Sequence, residues 1–427
     1  MKKIAARCLL TLMLAGLSLT VSAQSFSIIV ETTPTANIHS IVAVLGGTLL
    51  DSMGGHVHLV SVPAIPSIYP DGVKSIEPDN VQIPPGEHGA VFGVSSSSKA
   101  DFYGNQPALQ RVNLPSALQH ATGRSIVIAD INAMVDVGHP ALVGHLTSGA
   151  EFLSGKCRNR PGLNESAGGF LDESAGGFLD ESAGGFLDQS RLASLDPITA
   201  AFLTRSGASF VDPLTAASMD RMSPAHGHGT MVAGILAAVA PDAMIMPLRA
   251  FDDKGCGTTY NITKAVRYAV SHGAQVINMS FGISGHSQML KKTIDEAVKA
   301  GIAVVASAGN GNTAAPQYPA AYPGVLGVAA TTLTDAKASF SNYGTTVFVG
   351  APGVNIISAY PGGYYAELSG TSFSAPMVAA EAALVRSLKT GGWKNSIAMG
   401  VDNIDAVNPA YVGQLGTGRI NLLKALQ

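Results

Sequence analysis

The sequence predicts an α/β protein with a mainly parallel sheet, preceded by a smaller α+β unit. Beyond residue 105, short apolar runs alternate with amphipathic stretches, as in chains that build a parallel sheet with helices on both faces. The 427 residues include 48 glycines, which suits many tight turns. Only 13% of the residues are charged and 46% are hydrophobic, which argues against disorder over most of the length.

Residues 1–23 are predicted to be a signal peptide, because a basic start and an apolar stretch lead to the small-residue site Val21-Ser22-Ala23. The apolar run is short for a membrane span, and polar residues follow it at once. We therefore expect an exported protein, secreted or periplasmic, without stable membrane insertion. The net charge of -3 offers no basic surface, so we expect no nucleic-acid partner.

A small α+β unit is predicted over residues 24–84. FSIIVE and HVHLVSV alternate and are rich in β-branched residues, which indicates strands, and IHSIVAVLGG between them indicates a short helix ended by glycine. This β-α-β-β order is typical of a ferredoxin-like unit. Residues 85–104, with PPGEHG and a run of serines, are predicted to be a linker.

The main domain is predicted over residues 105–427. Apolar runs indicate strands at 126–129, 244–249, 276–280, 303–307 and 325–330. Amphipathic stretches indicate helices at 231–240, 262–271, 287–300 and 374–388.

An acidic repeat interrupts this pattern, because ESAGGFLD occurs three times in residues 165–188. Three copies of eight residues are too few to form a stable core, so we expect a surface insertion at about 150–223. The acids lack the DxDxDG spacing of calcium loops. We therefore expect no metal site, and calcium is not indicated as a cofactor.

Two cysteines remain once Cys8 leaves with the signal peptide. Cys157 and Cys256 can form one disulfide in an exported protein, or they can stay as two separate thiols. Both readings stay open at this point, and no Cys/His cluster indicates a zinc site.

Three stretches carry the signs of nucleophilic catalysis: HGHGTMVAGIL with His228, ELSGTSFSAPMVAAEAALV with Ser372, and VVASAGNGN with Asn310. A serine hydroxyl needs a base within hydrogen-bond reach and donors for the oxyanion that it creates. A helix N-terminus offers Ser372 free N–H groups, and the Asn310 amide after a strand end can supply another donor.

Four motifs, GTSFSAP, HGTMVAGI, INMSFG and SAGN, resemble the subtilisin-like serine protease family (peptidase S8) and stand in its order. The resemblance covers about residues 105–425, apart from the insertion. It implies a three-layer α/β/α domain that hydrolyses protein or peptide substrates through an acyl-enzyme. Ser372 would be the nucleophile, His228 the general base and Asn310 the oxyanion donor. The unit at 24–84 resembles that family's inhibitor-I9-like propeptide, which implies an intramolecular inhibitor and autoprocessing from a proenzyme.

Substrate-binding residues follow from the same resemblance. It assigns Gly255 and Gly257 to a strand that pairs with an extended substrate, as in β-augmentation. It assigns Ser280 and Gly282 to the region beside the S1 pocket and includes Gly309 among the substrate-binding residues. A glycine-lined, apolar S1 pocket would suit large uncharged side chains.

The catalytic acid is the open question, because IVIADINAMVDVGHPAL fits the family pattern in two ways. Without a gap, His139-Pro140 and Asp136 match, and Asn132 falls on the acid. With a two-residue insertion, the apolar strand matches and Asp130 is the acid. Two extra loop residues cost well under ~1 kcal/mol, so we favour Asp130 and expect its carboxylate to face Nδ1 of His228. Asp136 is expected to have a structural role in the turn.

The other alignment has a clear consequence. An Asn in place of the acid favours the wrong histidine tautomer and lowers turnover by about 10⁴. The alternative to a serine endopeptidase is then a crippled pseudoprotease or a peptide-binding protein that uses the same groove. A non-peptidase hydrolase with the same triad is a third reading.

Overall fold

The computed structural model describes residues 25–82, 88–94, 103–153, 195–206, 208–209, 224–283, 285–388 and 391–427. The predicted signal peptide, the ESAGGFLD repeats, Cys8 and Cys157 lie outside these residues. Across the described ranges, no helix is long and apolar enough to cross a membrane.

The N-terminal unit is a four-stranded antiparallel sheet with the order β2-β3-β1-β4 and one helix. Its elements are β1 Phe26–Thr32, α1 Ile38–Val44, β2 Thr48–Met53, β3 Val57–Val62 and β4 Val73–Pro78. The Asn37 side chain caps α1 by accepting from two backbone N–H groups. The strand order is the ferredoxin-like one, although residues 63–72 form turns where the complete motif has a second helix.

The main domain is built on a nine-stranded sheet with the order β18-β19-β15-β14-β13-β12-β7-β10-β8. All pairings in it are parallel except that of β18 with β19. Its strands are β7 Val127–Asn132, β8 Ala150–Glu151, β10 Met244–Arg249, β12 Val276–Met279, β13 Ala303–Ser307, β14 Leu326–Thr331, β15 Val349–Pro352, β18 Val401–Asp402 and β19 Arg419–Ile420. The predicted parallel sheet is confirmed.

Helices cover both faces of this sheet, which explains why its central strands are buried on both sides and mostly apolar. The helices of the described residues in this domain are α2 Pro107–Arg111, α3 Leu114–Ala117, α4 Pro197–Arg205, α5 Pro224–Val239, α6 Thr259–Ser271, α7 Gln288–Lys299, α8 Thr371–Leu388, α9 Trp393–Met399 and α10 Leu422–Leu426. One buried cluster joins α5 and α8 to Ile128 of β7. A second joins α6 and α7 to Ala129 and Ile131. The three-layer α/β/α arrangement is therefore confirmed.

Two segments differ from the sequence predictions. Part of the predicted linker forms β6 His88–Val94, which pairs with β17 Tyr364–Ser369 in a small antiparallel sheet. This sheet has the order β16-β17-β6-β9, with β16 Ile356–Tyr360 and β9 Ala208–Ser209. Within the predicted insertion, α4 packs Leu203 into a buried cluster with Tyr103 and Tyr365. Composition missed these elements because tertiary pairing, rather than local propensity, stabilises them.

Candidate active site

The C-terminal end of β7 brings Asp130 and Asn132 to the same face of the sheet. Residues two apart on a strand point the same way, and Ile128 of the same set packs against α5 and α8. Both polar side chains therefore point towards the helices that carry His228 and Ser372. Gly229 allows α5 to approach closely, since a Cβ there would lie 2.4 Å from the Met134 carbonyl oxygen.

Asn132, and not Asp130, contacts the predicted catalytic histidine. His228 Nδ1 lies 2.8 Å from Asn132 Oδ1, and both residues are buried. The expectation that Asp130 faces Nδ1 of His228 is wrong. β7 continues through residue 132 in parallel pairing with Arg249 of β10, so no lengthened turn follows Asp130. The gapless alignment from His139-Pro140 gives the observed geometry.

Asp130 is hydrogen-bonded to the other side of the Asn132 amide and is fully buried. Its Oδ2 accepts from Asn132 Nδ2 at 3.3 Å, and its Oδ1 accepts from Asn278 Nδ2 at 2.8 Å. Asn278 is its register partner on β12. Burial raises the pKa of the Asp130 carboxyl to about 6, while the Asn278 amide, the proximity of His228 and the Asn132 amide counteract part of this rise.

Ser372 lies in the first turn of α8 and is almost fully buried. Its Oγ donates to the Ser280 carbonyl at 3.2 Å, and the Ser280 hydroxyl donates to the Ser372 carbonyl at 2.8 Å. Pro376 explains the second bond, because it has no N–H to donate to the carbonyl four residues earlier. Phe373 places its ring centroid 6.0 Å from that of His228, so the start of α8 lies beside the imidazole.

Asn310 follows β13 and is oriented by Thr371. Its Oδ1 accepts from the Thr371 backbone N–H at 2.9 Å and from the Thr371 hydroxyl at 2.7 Å. With the oxygen held in this way, the Nδ2 group of Asn310 is directed away from Thr371 and keeps its capacity to donate. This is the arrangement that an oxyanion donor requires.

Gln317 lies between two of the predicted substrate-binding glycines. A Cβ at Gly282 would meet Gln317 Nε2 at 1.7 Å, and a Cβ at Gly309 would meet Gln317 Oε1 at 1.7 Å. Asn342 Nδ2 donates to that Oε1 at 3.0 Å and holds the amide there. An amide therefore occupies the space between these two glycines, and the assignment of an apolar S1 pocket to this region stays a prediction.

The strand predicted to pair with substrate already pairs with the chain itself. Gly257 belongs to β11 Gly257–Thr258, which is antiparallel to β5 Val81–Gln82. Gly255 has a φ of +72° in the turn that leads into this strand, which a glycine adopts without strain. Cys256 between them is disulfide-bonded, and its pairing with Cys157 stays a prediction.

Carboxylates of the N-terminal unit bind the N-terminal ends of α6 and α7. Asp79 Oδ1 accepts from the Tyr260 N–H of α6 at 2.9 Å. Glu77 accepts from the Ser287 hydroxyl at 2.6 Å and from the Gln288 N–H of α7 at 3.0 Å. Both contacts place negative charge where helix ends favour it. A buried apolar cluster that includes Leu59 from the unit and Tyr260 and Met289 from these helices lies between them.

Asp136 has the structural role that the sequence predicts for it. Its Oδ1 accepts from the Gly138 N–H at 3.1 Å, and its Oδ2 accepts from the Gly362 N–H at 2.9 Å, which links the turn to the β16–β17 hairpin. Among the described residues, no group of three or more histidine, cysteine or acidic side chains could hold a metal ion.

Sequence reasoning gave Asn132 only as the less favoured alternative, and it missed Asn278 as a hydrogen-bond partner of Asp130 and Gln317. For Asn132 a signal existed in the gapless spacing from His139-Pro140. Gln317 belongs to no motif, and its position between two glycines appears only in three dimensions.

A parallel α/β/α sheet with a buried histidine beside the start of a helix that carries a serine in its first turn is typical of serine hydrolases of the three-layer class. The subtilase family model matches residues 123–404. Thermitase of Thermoactinomyces vulgaris is 39% identical over 212 residues, which are 47% of this chain and 75% of that protein. Subtilisin Savinase of Lederbergia lenta is 38% identical over 179 residues, which are 40% of this chain and 66% of that protein.

A thermophilic serine proteinase of a Bacillus species is 44% identical over 172 residues, 38% of this chain and 43% of that protein. The matched regions therefore cover from 43% to 75% of the length of these three relatives. The crystal structure of fervidolysin from Fervidobacterium pennivorans has a TM-score of 0.68 at 22% identity, over 95% of this chain and 61% of that one, which supports the fold. The chain belongs to the subtilase family, and by family it is a serine-type endopeptidase.

Proposed function

We propose that the chain is an exported serine endopeptidase that works with Ser372, His228 and Asn132 and is processed from a proenzyme. The observation that carries the proposal is that three elements meet beyond the C-terminal end of β7. The end of β7 and α5 bring Asn132 within hydrogen-bond distance of His228, and the start of α8, which carries Ser372, lies beside the imidazole. Family membership supplies the class of substrate, which is a protein or peptide.

In the proposed reaction, Ser372 Oγ attacks the scissile carbonyl carbon while His228 Nε2 takes its proton. The oxygen that becomes negative is stabilised by Asn310 Nδ2 and by backbone N–H groups at the start of α8. His228 then gives its proton to the leaving amine, and water releases the acyl group by the same steps. Asn132 accepts from Nδ1 throughout, although it carries no charge to stabilise the imidazolium.

We also propose that the N-terminal unit inhibits the site in the uncleaved chain. Its support is the set of contacts described above: β5 on the edge at Gly257, and Glu77 and Asp79 on two helix ends. Cleavage between this unit and the main domain would turn an intramolecular contact into a bimolecular one. Export rests on the N-terminal sequence pattern alone.

Gln317 supports a preference for small or polar P1 side chains rather than large apolar ones, if Gly282 and Gly309 bound the S1 pocket. Gln317→Ala should then raise kcat/KM for a P1-Phe reporter peptide at least fivefold relative to a P1-Ala reporter. An unchanged ratio in this variant would show that the P1 side chain binds elsewhere.

The proposal is tested by mass spectrometry of the full chain and of Ser372→Ala, produced in an exporting host. We expect the unaltered chain to lose the residues up to the region of 83–104 and Ser372→Ala to keep them after signal removal. A Ser372→Ala chain that matures at the same site and rate would contradict self-processing. Turnover of reporter peptides by the purified protein, absent in Ser372→Ala, tests the peptidase activity itself.

A second candidate is a peptide-binding protein with little turnover, and the contact of His228 with Asn132 favours it. Removal of the acid alone lowers turnover by about 10⁴ in enzymes of this mechanism. Peptide binding in Ser372→Ala, together with no cleavage by the unaltered chain, would support this second candidate.

A further inference from the structure

The Asn132 amide is held in one orientation by neighbours on both sides. Its Oδ1 accepts from the Ala133 backbone N–H at 2.9 Å, and its Nδ2 donates to Asp130 Oδ2 at 3.3 Å. A 180° rotation of the amide would set Nδ2 against the Ala133 N–H, donor against donor. It would also set Oδ1 against the Asp130 carboxylate, acceptor against acceptor. All contacts are satisfied only when Oδ1 points to His228.

This orientation fixes the tautomer of His228. Oδ1 has no proton, so the hydrogen bond of 2.8 Å requires the proton to be on His228 Nδ1. Nε2 is then the basic nitrogen, as a general base for Ser372 requires. The rotated amide would donate to Nδ1 and leave the proton on Nε2, which is the tautomer that makes an Asn costly in this position.

Asp130 is itself fixed by the sheet. Asn278 on the adjacent strand donates to Oδ1, and the same Nδ2 group lies 3.0 Å from the Ser280 hydroxyl. Both side chains are fully buried, so water does not compete for these bonds. Each oxygen of the Asp130 carboxylate thus accepts from one neighbouring amide. Because a carboxylate only accepts, Asn132 must turn the Nδ2 side of its amide towards Asp130.

We infer that Asp130 is a positioning residue for catalysis, acting through Asn132 to hold the His228 tautomer and supplying the negative charge that Asn132 lacks. The inference rests on the proposed peptidase function. It adds Asp130 as a positioning residue behind Asn132, His228 and Ser372. The two hydrogen bonds of the Asn132 amide, one to Asp130 and one to His228, take the place of a direct contact between a carboxylate and the histidine.

The test compares kcat and KM on one reporter peptide for the full chain with Asp130→Asn, Asn132→Asp and the two combined. Asp130→Asn alone should lower kcat 10²- to 10³-fold with KM within twofold, because the charge and the fixed amide orientation are both lost. With Asn132→Asp already present, a carboxylate faces His228 directly and Asp130 is a like charge beside it. Asp130→Asn should then raise kcat. A role of Asp130 in folding alone predicts a loss in both backgrounds, and that result would overturn the inference.

A second measurement does not depend on turnover. In Ser372→Ala chains with ¹⁵N-labelled histidine, the two ring nitrogens of His228 report its tautomer, with His228→Gln for assignment. The Nδ1–H form should dominate when Asp130 is present, and Asp130→Asn should shift the population towards Nε2–H. An unchanged population would overturn the inference. Lack of turnover in the unaltered chain would instead refute the proposed function, and the tautomer would still report on Asp130.

Discussion

Asp130 and Glu381 are both fully buried carboxyl groups, and they differ in what surrounds them. Asp130 accepts from two amides and lies near His228, and its pKa rises to about 6. Glu381, nine residues beyond Ser372 on α8, has no hydrogen-bond partner among the described residues, and burial alone raises its pKa well above the usual range. At neutral pH Asp130 is mostly ionised, whereas burial favours the protonated form of Glu381.

The difference shows that burial does not by itself determine the state of an acid. Two well-placed N–H donors keep a carboxylate charged in a site without water, where it can act on its neighbours. Without such donors the same burial leaves a neutral group that contributes only an unsatisfied polar atom. Asp130 can therefore serve the positioning role proposed for it, whereas Glu381 lowers the stability of the fold.

The largest expected difference lies in matched amide substitutions. Asp130→Asn should lower kcat 10²- to 10³-fold, the scale at which one oriented hydrogen-bonding group acts in such sites. Glu381→Gln changes the same atoms on a buried carboxyl that contacts nothing in the site, so kcat should stay within about twofold. Steady-state kinetics on one reporter peptide compare the two. Equal losses would mean that the effect of Asp130→Asn is general to buried acids.

The pH dependence of stability should separate the two acids next. Folded Asp130 keeps its proton up to about pH 6, whereas the unfolded chain releases it near the ordinary aspartate pKa of 3.8. The free energy of unfolding therefore falls as pH rises from about 4 to 6, by roughly 3 kcal/mol for this group. Its contribution is complete below the unfolded pKa and is lost through the folded pKa.

Denaturant titrations across this window, in the Ser372→Ala background to prevent self-cleavage, measure the slope. The difference in unfolding free energy between this chain and its Asp130→Asn variant should change between pH 4 and 6 and be constant from pH 7. For Glu381→Gln the difference should have the same sign, because burial also raises the pKa of that carboxyl. A flat difference for Asp130→Asn would show that its folded pKa is not raised.

A smaller effect is expected from removing the unpaired acid. Glu381→Met replaces it with a flexible apolar side chain of similar length and should raise the free energy of unfolding by about 1–3 kcal/mol. Urea denaturation at pH 7 in the Ser372→Ala background gives the value. A lower stability would mean that the Glu381 carboxyl has a bonding role in the folded protein.

The smallest effect should come from a half-buried acid that caps a helix. Glu77→Gln weakens the contact with the start of α7 and should lower the free energy of unfolding by about 0.5–2 kcal/mol. Asp71→Asn on an exposed turn of the same unit is the control and should leave stability unchanged. Equal shifts in both variants would point to net charge rather than capping.

The motifs located the nucleophile, the base and the sheet, but they did not separate Asp130 from Asn132. Both residues point to the same face of β7, so alternation treats them alike, and a charge within a buried strand is costly unless it is paired, which counts against the gapless alignment. The choice between the two residues follows from the pairing of β7 with β10, which continues as far as residue 132. The amide donor Asn278 that makes the buried charge tolerable lies 148 residues away in the chain.

Strand pairing also explains the other differences. β6 has a composition of loops and is a strand because β17 offers it an edge. Gln317 is distant in sequence from Gly282, and only the closed fold places its amide beside that glycine. Local patterns predict elements, whereas such contacts depend on which elements become neighbours.

The pairing of β5 with β11 has a consequence for competition at the groove. A tethered segment meets its own edge strand at an effective concentration in the millimolar range for a short flexible link. A free peptide that binds β11 with micromolar affinity then competes with β5, which the chain holds close to β11. In the proposed peptidase, access of a peptide to β11 thus depends on the covalent continuity of the chain, and one cut changes the competition from a unimolecular to a concentration-dependent one.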